Sequence, residues 1–195
     1  MALKNLRTAG ILLMAALITP CGMLLASESN PPAAVNPGNA NWYDVEQASN
    51  LFNRMTANAM GVRSEVAQLQ VHGYQLDWRS HSANLAKAKE NINNIGDDLQ
   101  TLNQTKSRLL PWQQHLVDKV TPNAQQMANQ TDLAMNTLAQ HKDRSALQVT
   151  EYPNSIDQIY RNANQMVKTI QNTTHAAQGE QMSALNGTSI MNPGS

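Results

Sequence analysis

Residues 45–76, VEQASNLFNRMTANAMGVRSEVAQLQVHGYQL, carry a small or apolar side chain at every third or fourth position. This alternation is typical of the a/d seam of a helix that packs against other helices, and chance rarely sustains it over more than four heptads. The stretch therefore predicts a long helix. Its seam consists of Val45, Ala48, Phe52, Met55, Ala59, Val62, Val66, Leu69, Gly73 and Leu76.

The same spacing recurs in three later stretches, each preceded by a signal that ends or begins a helix. Asn41 is a plausible N-cap of the first helix, Gly73 ends it, and Asp77 caps the second. Pro111 and Pro153 open the third and fourth helices, because proline is tolerated in a first turn. The later seams are Trp78, His81, Leu85, Ala88, Ile92, Ile95, Leu99 and Leu102; Val117, Val120, Ala124, Met127, Thr131, Ala134, Leu138 and His141; and Ile156, Ile159, Ala163, Met166, Ile170, Thr173 and Ala177.

Short connections between the first three helices force antiparallel neighbours. The sequence therefore predicts an all-α, up-down-up-down four-helix bundle with coiled-coil-like packing over residues 42–178. A dimer of helical hairpins is the main alternative. Pro122 lies inside the third helix and is expected to kink it or to split off its first turns.

The first 26 residues read as a secretory signal peptide, with a basic start, an apolar middle and Ala26 before the expected cut. An uncleaved membrane anchor is the alternative, but Pro20 and Gly22 interrupt the apolar run. Lipidation at Cys21 is disfavoured because Pro20 stands where a small residue is needed. We therefore expect an exported protein, periplasmic or secreted, with no stable membrane insertion after cleavage.

Two flanking segments contain too few apolar residues to build a core. Residues 27–41 are rich in proline and asparagine and predict a disordered leader. Residues 179–195 predict a disordered C-terminal tail for the same reason.

Charge and cysteine content exclude several classes of function. The chain has 14 basic and 14 acidic residues, and removal of the signal takes away two basic ones, leaving a net charge of about −2. Such a balance gives no electrostatic footprint for nucleic acid. Cys21 is the only cysteine, so the mature chain has no disulfide and no thiolate nucleophile. No cofactor is expected.

Histidines provide the one metal-binding hypothesis. In an up-down bundle, His72, His81 and His141 share one end, with Asp77 and Asp143 nearby. Three imidazoles and a carboxylate can bind zinc or copper. The alternative interpretation is that these histidines occupy a wet, frayed end of the bundle where polar side chains are tolerated.

The segment from Arg108 to His115 is the densest mixture of apolar and polar residues in the chain. Trp112 and Arg108 are candidates for partner binding, because tryptophan and arginine anchor interfaces. Alternatively, Leu109, Leu110 and Trp112 close the open end of the bundle.

No catalytic motif is present, so we expect a protein that is not an enzyme. The leading hypothesis is an interaction or scaffold module that binds another envelope protein, and homo-oligomers remain open. The second is a small-ligand or metal-binding bundle that uses the histidine end, and the third is a sensor-like module.

Overall fold

The computed structural model describes residues 41–72, 77–141 and 150–188. Within these ranges the chain forms four α-helices and a short 3-10 turn. They are α1 (Trp42–His72), α2 (Trp78–Thr105), the turn (Lys106–Arg108), α3 (Pro111–Gln140) and α4 (Glu151–Thr188). Each helix packs against two others. The neighbouring pairs are α1–α2, α2–α3, α3–α4 and α4–α1. The predicted all-α four-helix bundle is confirmed. The predicted signal peptide and residues 27–40 of the leader lie outside the described residues.

The helix starts follow the predicted capping residues. Asn41 Oδ1 accepts a hydrogen bond from the Tyr43 amide at 3.1 Å, and Asp77 Oδ1 accepts one from the Ser80 amide at 2.8 Å. These side chains satisfy backbone donors that have no partner within the first turn. Pro111 is the first residue of α3, as its spacing predicts.

Two features differ from the sequence-based expectation. The helix α4 continues to Thr188, ten residues beyond the predicted end of the bundle at 178. Glycine inside a helix costs only about 1 kcal/mol relative to alanine, so Gly179 does not end α4. Residues 189–195 lie outside the described part of the chain.

Pro122 does not split α3, which is one helix from Pro111 to Gln140. Buried side chains on both sides of the exposed proline, Val120 and Ala124, hold the helix against its neighbours.

The core lies along the predicted seams. Nearly every seam residue inside the described ranges is buried, whereas Trp78 and Thr173 are half-buried and His141 is exposed. Gly73 and Leu76 lie outside the described residues. Apart from His81 and Gln113, the largest side chains with almost no exposure are aliphatic, methionine or aromatic, and they come from all four helices. They include Phe52, Met55, Leu85, Ile95, Leu102, Leu116, Met127, Ile159 and Met166.

Three ion pairs join α1 to the antiparallel segment that follows it. The pairs are Asp44–Arg108, Arg54–Asp98 and Glu65–Lys87. The first and second pairs lie ten residues apart on α1 and ten residues apart on the segment that follows it. The second and third pairs lie eleven residues apart on both. All three pairs therefore agree on one register.

A close approach of helices supports the same register. A Cβ atom at Gly61 of α1 would lie 2.8 Å from Nδ2 of Asn91 on α2, so the space that any larger residue would need is already filled. Asn91 faces Gly61 at the position that the three ion pairs predict for it. A side chain at position 61 would therefore have to displace that of Asn91.

Candidate functional site

Four of the eight aromatic residues of the chain gather where α1 and α3 begin. We call this region the aromatic end and define it by Trp42, Tyr43, Phe52 and Trp112. Trp42 opens α1 directly after its cap, and Trp112 follows the first residue of α3. The capping residues that start these helices therefore also place the aromatic side chains.

The aromatic residues differ sharply in exposure. Phe52 is buried, and its ring centroid lies 6.3 Å from that of the half-buried Trp112. Trp42 and Tyr43 are instead 78% and 72% exposed, the two most exposed aromatic side chains among those described. Large apolar side chains that adjoin one another on a surface are typical of binding sites.

A cavity of ≈ 290 Å³ adjoins Trp42, Phe52 and Trp112, between α1, α3 and α4. It is lined by Trp42, Val45, Ser49, Phe52, Asn53, Leu110, Trp112, Thr174, Ala177 and Gln178, none of which is charged. The indole Nε1 of Trp112 is buried and makes no hydrogen bond within the described residues. Its N–H group is therefore an unsatisfied buried donor of a residue that lines the cavity.

Gln113 links the start of α3 to α1 through hydrogen bonds. This fully buried side chain donates from Nε2 to the Val45 carbonyl oxygen at 3.0 Å, and its Oε1 accepts from the Leu110 amide at 3.2 Å. The burial of Gln113 was not predicted from the sequence, because glutamine is usually exposed. The signal in the sequence was its helical spacing from Leu116 and Val120, which places all three residues on the same face of α3.

The predicted partner-binding residues lie at the aromatic end, and both also contact the bundle. Arg108 is half exposed, and its Nε lies 3.0 Å from Oδ2 of the buried Asp44. Trp112 packs against the core beside the buried Leu109, as expected if these residues close the end of the bundle. A role of Trp112 and Arg108 in partner binding stays a prediction.

At the opposite end of the bundle, His81 is buried against Tyr152. Its Nδ1 lies 2.7 Å from the Tyr152 hydroxyl oxygen, and the two rings meet edge to face. Burial raises the pKa of the Tyr152 hydroxyl above its ordinary value, so the group stays protonated. This contact links the start of α2 to the start of α4.

The three histidines of the metal hypothesis are in different surroundings. His81 is buried, whereas His141 is exposed at the end of α3. Among the described side chains, no group of three or more histidine, cysteine, aspartate or glutamate residues could hold a metal ion. The side chains of His72 and Asp143 lie outside that set, so the three-histidine site stays a prediction.

Two buried carboxylates were also missed by the sequence analysis. Asp44 and Asp98 are buried, and each forms an ion pair with an arginine whose side chain is more than half exposed. Burial raises the pKa of Asp98 above its ordinary value, although Arg54 acts in the opposite direction. The neighbouring Asp97 is exposed, as expected for consecutive residues of a helix.

Comparison of the chain with protein-family models, with curated protein sequences and with solved structures finds no match. The helices in the described ranges contain no segment that is both long and apolar enough to span a membrane.

Proposed function

We propose that this chain is an exported, non-enzymatic interaction module that binds another envelope protein through its aromatic end. The observation that carries the proposal is the exposure of Trp42, which lines an uncharged cavity, and of its neighbour in the chain, Tyr43. Export is proposed from the basic and apolar pattern of residues 1–26.

The energetic argument starts from the two exposed rings. A buried aromatic side chain removes 150–250 Å² from water, so covering Trp42 and Tyr43 would bury on the order of 300 Å². At about 25 cal/mol per Å², this corresponds to about 7 kcal/mol before the costs of association. Two such anchors can therefore supply much of the free energy of a specific complex.

The surroundings of the rings fit a protein partner. Tryptophan and tyrosine are enriched among residues that dominate binding energy, above all where neighbouring contacts exclude water. The cavity beside Trp42 offers space for an uncharged side chain of the partner. Trp112 lines this cavity and would contact that side chain.

The test is site-specific photo-crosslinking in the exported fraction of the natural host. A photoreactive residue replaces Tyr43, and a matched control replaces Leu133, an exposed apolar residue of α3. We expect one adduct of defined mass at position 43 and none at 133. A Trp42→Ala variant should weaken the adduct while leaving the circular dichroism spectrum and the melting temperature unchanged, because Trp42 is largely exposed.

Two results would contradict the proposal. The first is the same adduct pattern at positions 43 and 133, which would indicate nonspecific contact. The second is the absence of any adduct at position 43 when the protein is correctly processed and folded.

A further inference from the structure

A second concave surface lies between the neighbouring helices α2 and α3. This groove has a volume of ≈ 960 Å³. We call it the amide groove. It is lined by Ile92, Asn93, Gly96, Asp97, Leu99, Gln100, Asn103, Gln104, Thr121, Ala124, Gln125 and Ala128.

The walls of the amide groove carry hydrogen-bonding groups but little charge. Five exposed side chains are amides, and no hydrogen bond within the described residues engages any of them. They are Asn93, Gln100, Asn103, Gln104 and Gln125. Each amide offers two donors and one acceptor oxygen, whereas Asp97 is the one charged lining residue. The groove therefore suits an uncharged ligand with many hydrogen-bonding groups.

The floor of the groove is apolar and shallow. Ile92, Leu99 and Ala124 line it, and each is at most 7% exposed, so none of these side chains projects far into the groove. Residues 92–104 of α2 span about 18 Å at 1.5 Å per residue, so the groove suits an elongated ligand. A peptide would need pockets for its side chains or an apolar anchor site. Such pockets are not a feature of this floor.

Gly96 keeps the middle of the groove open. Glycine inside a helix costs about 1 kcal/mol relative to alanine, and close packing is the usual compensation. Packing explains Gly61, where Asn91 fills the space of a side chain, but a Cβ atom at Gly96 would meet no atom within 4 Å. The lack of a side chain at position 96 leaves space for a ligand instead.

We infer that the amide groove binds an uncharged oligosaccharide. Sugar rings present hydroxyl groups along their edges, which amide side chains can bind as donor and acceptor together. Their C–H faces can lie on the flat aliphatic floor. This site is separate from the aromatic end, and the inference is independent of the function proposed above.

The experiment is a titration of the isotope-labelled full chain with tetramers of N-acetylglucosamine and of glucose, followed by amide NMR shifts. We expect one of them to shift signals of α2 and α3 around the groove. Gly96→Leu should weaken binding by at least about tenfold, because a side chain then fills the groove. Gly179→Leu is the matched control, since its Cβ atom is also unobstructed but position 179 does not line the groove.

A second variant keeps the test decisive if Gly96→Leu misfolds. Combined Gln100→Ala and Gln125→Ala replacements remove two exposed amides and should weaken binding by about tenfold without changing the helical content. The inference is overturned if neither tetramer shifts the groove signals. It is also overturned if the variants bind as tightly as the parent, or if only an extended peptide binds there.

Discussion

The two glycines of α1 and α2 should respond differently to the same substitution. Gly96→Ala is expected to raise the free energy of unfolding by about 1 kcal/mol, because the new methyl group meets no atom within 4 Å and the helix gains the propensity of alanine. Gly61→Ala should change it by close to zero. The same gain is offset there, because Asn91 must turn away and lose its hydrogen bond to the Lys87 carbonyl oxygen at 3.2 Å.

A third comparison isolates the contact between the helices. In an Asn91→Ala background the obstacle is gone, so Gly61→Ala should then stabilise the bundle by about 1 kcal/mol. Urea unfolding followed by circular dichroism at 222 nm measures all four variants, and a change of 1 kcal/mol corresponds to about 2–4 °C in Tm for a chain of this size. Equal effects of Gly61→Ala and Gly96→Ala in the parent would refute the reasoning, as would a loss of stability in Gly96→Ala.

Three further predictions concern buried groups. Burial raises the pKa of Asp98 in the folded state, so the folded chain binds this proton more tightly than the unfolded chain, and stability from this group falls as pH rises above 3.8. The stability of Asp98→Asn relative to the parent should therefore increase between pH ~4 and ~7 in urea titrations, and a constant difference would contradict this. Tyr152→Phe removes the hydrogen bond to His81 and should cost about 1–3 kcal/mol at neutral pH, measured by the same titration; no change would mean that the bond contributes nothing. Met127→Ala should cost about 2–5 kcal/mol because the side chain is fully buried, whereas Met60→Ala, at an exposed position, should stay within about 0.5 kcal/mol, and similar losses would contradict the described core.

The seams were predictable from the sequence because helix burial follows a fixed period. Residues such as Met55, Ile95 and Met166 lie at three-four spacing, and all three are fully buried. The end of α4 was not predictable in the same way. Gly179 resembles a helix stop in the sequence, but one glycine costs too little to end a helix whose neighbouring turns can continue.

The candidate sites were less accessible to sequence reasoning. Trp112 and Arg108 could be selected by residue type, but the cavity beside Trp42 depends on how the starts of α1 and α3 meet α4. The buried Gln113 and Asp98 look like surface residues in the sequence. Their burial depends on partners 64 to 68 and 44 residues away along the chain, which local patterns do not reveal.

The pairing of Gly61 with Asn91 has a consequence for how the first hairpin finds its alignment. An apolar seam with a seven-residue repeat tolerates a slip of one heptad, since each buried residue would meet another of similar kind. Such a slip would place Asn91 opposite Arg54 or Gln68, both of which have side chains where Gly61 has none. It would also leave all three ion pairs of the hairpin without their partners. A repetitive seam thus acquires one preferred alignment, because a hairpin shifted by one heptad loses all of these contacts at once.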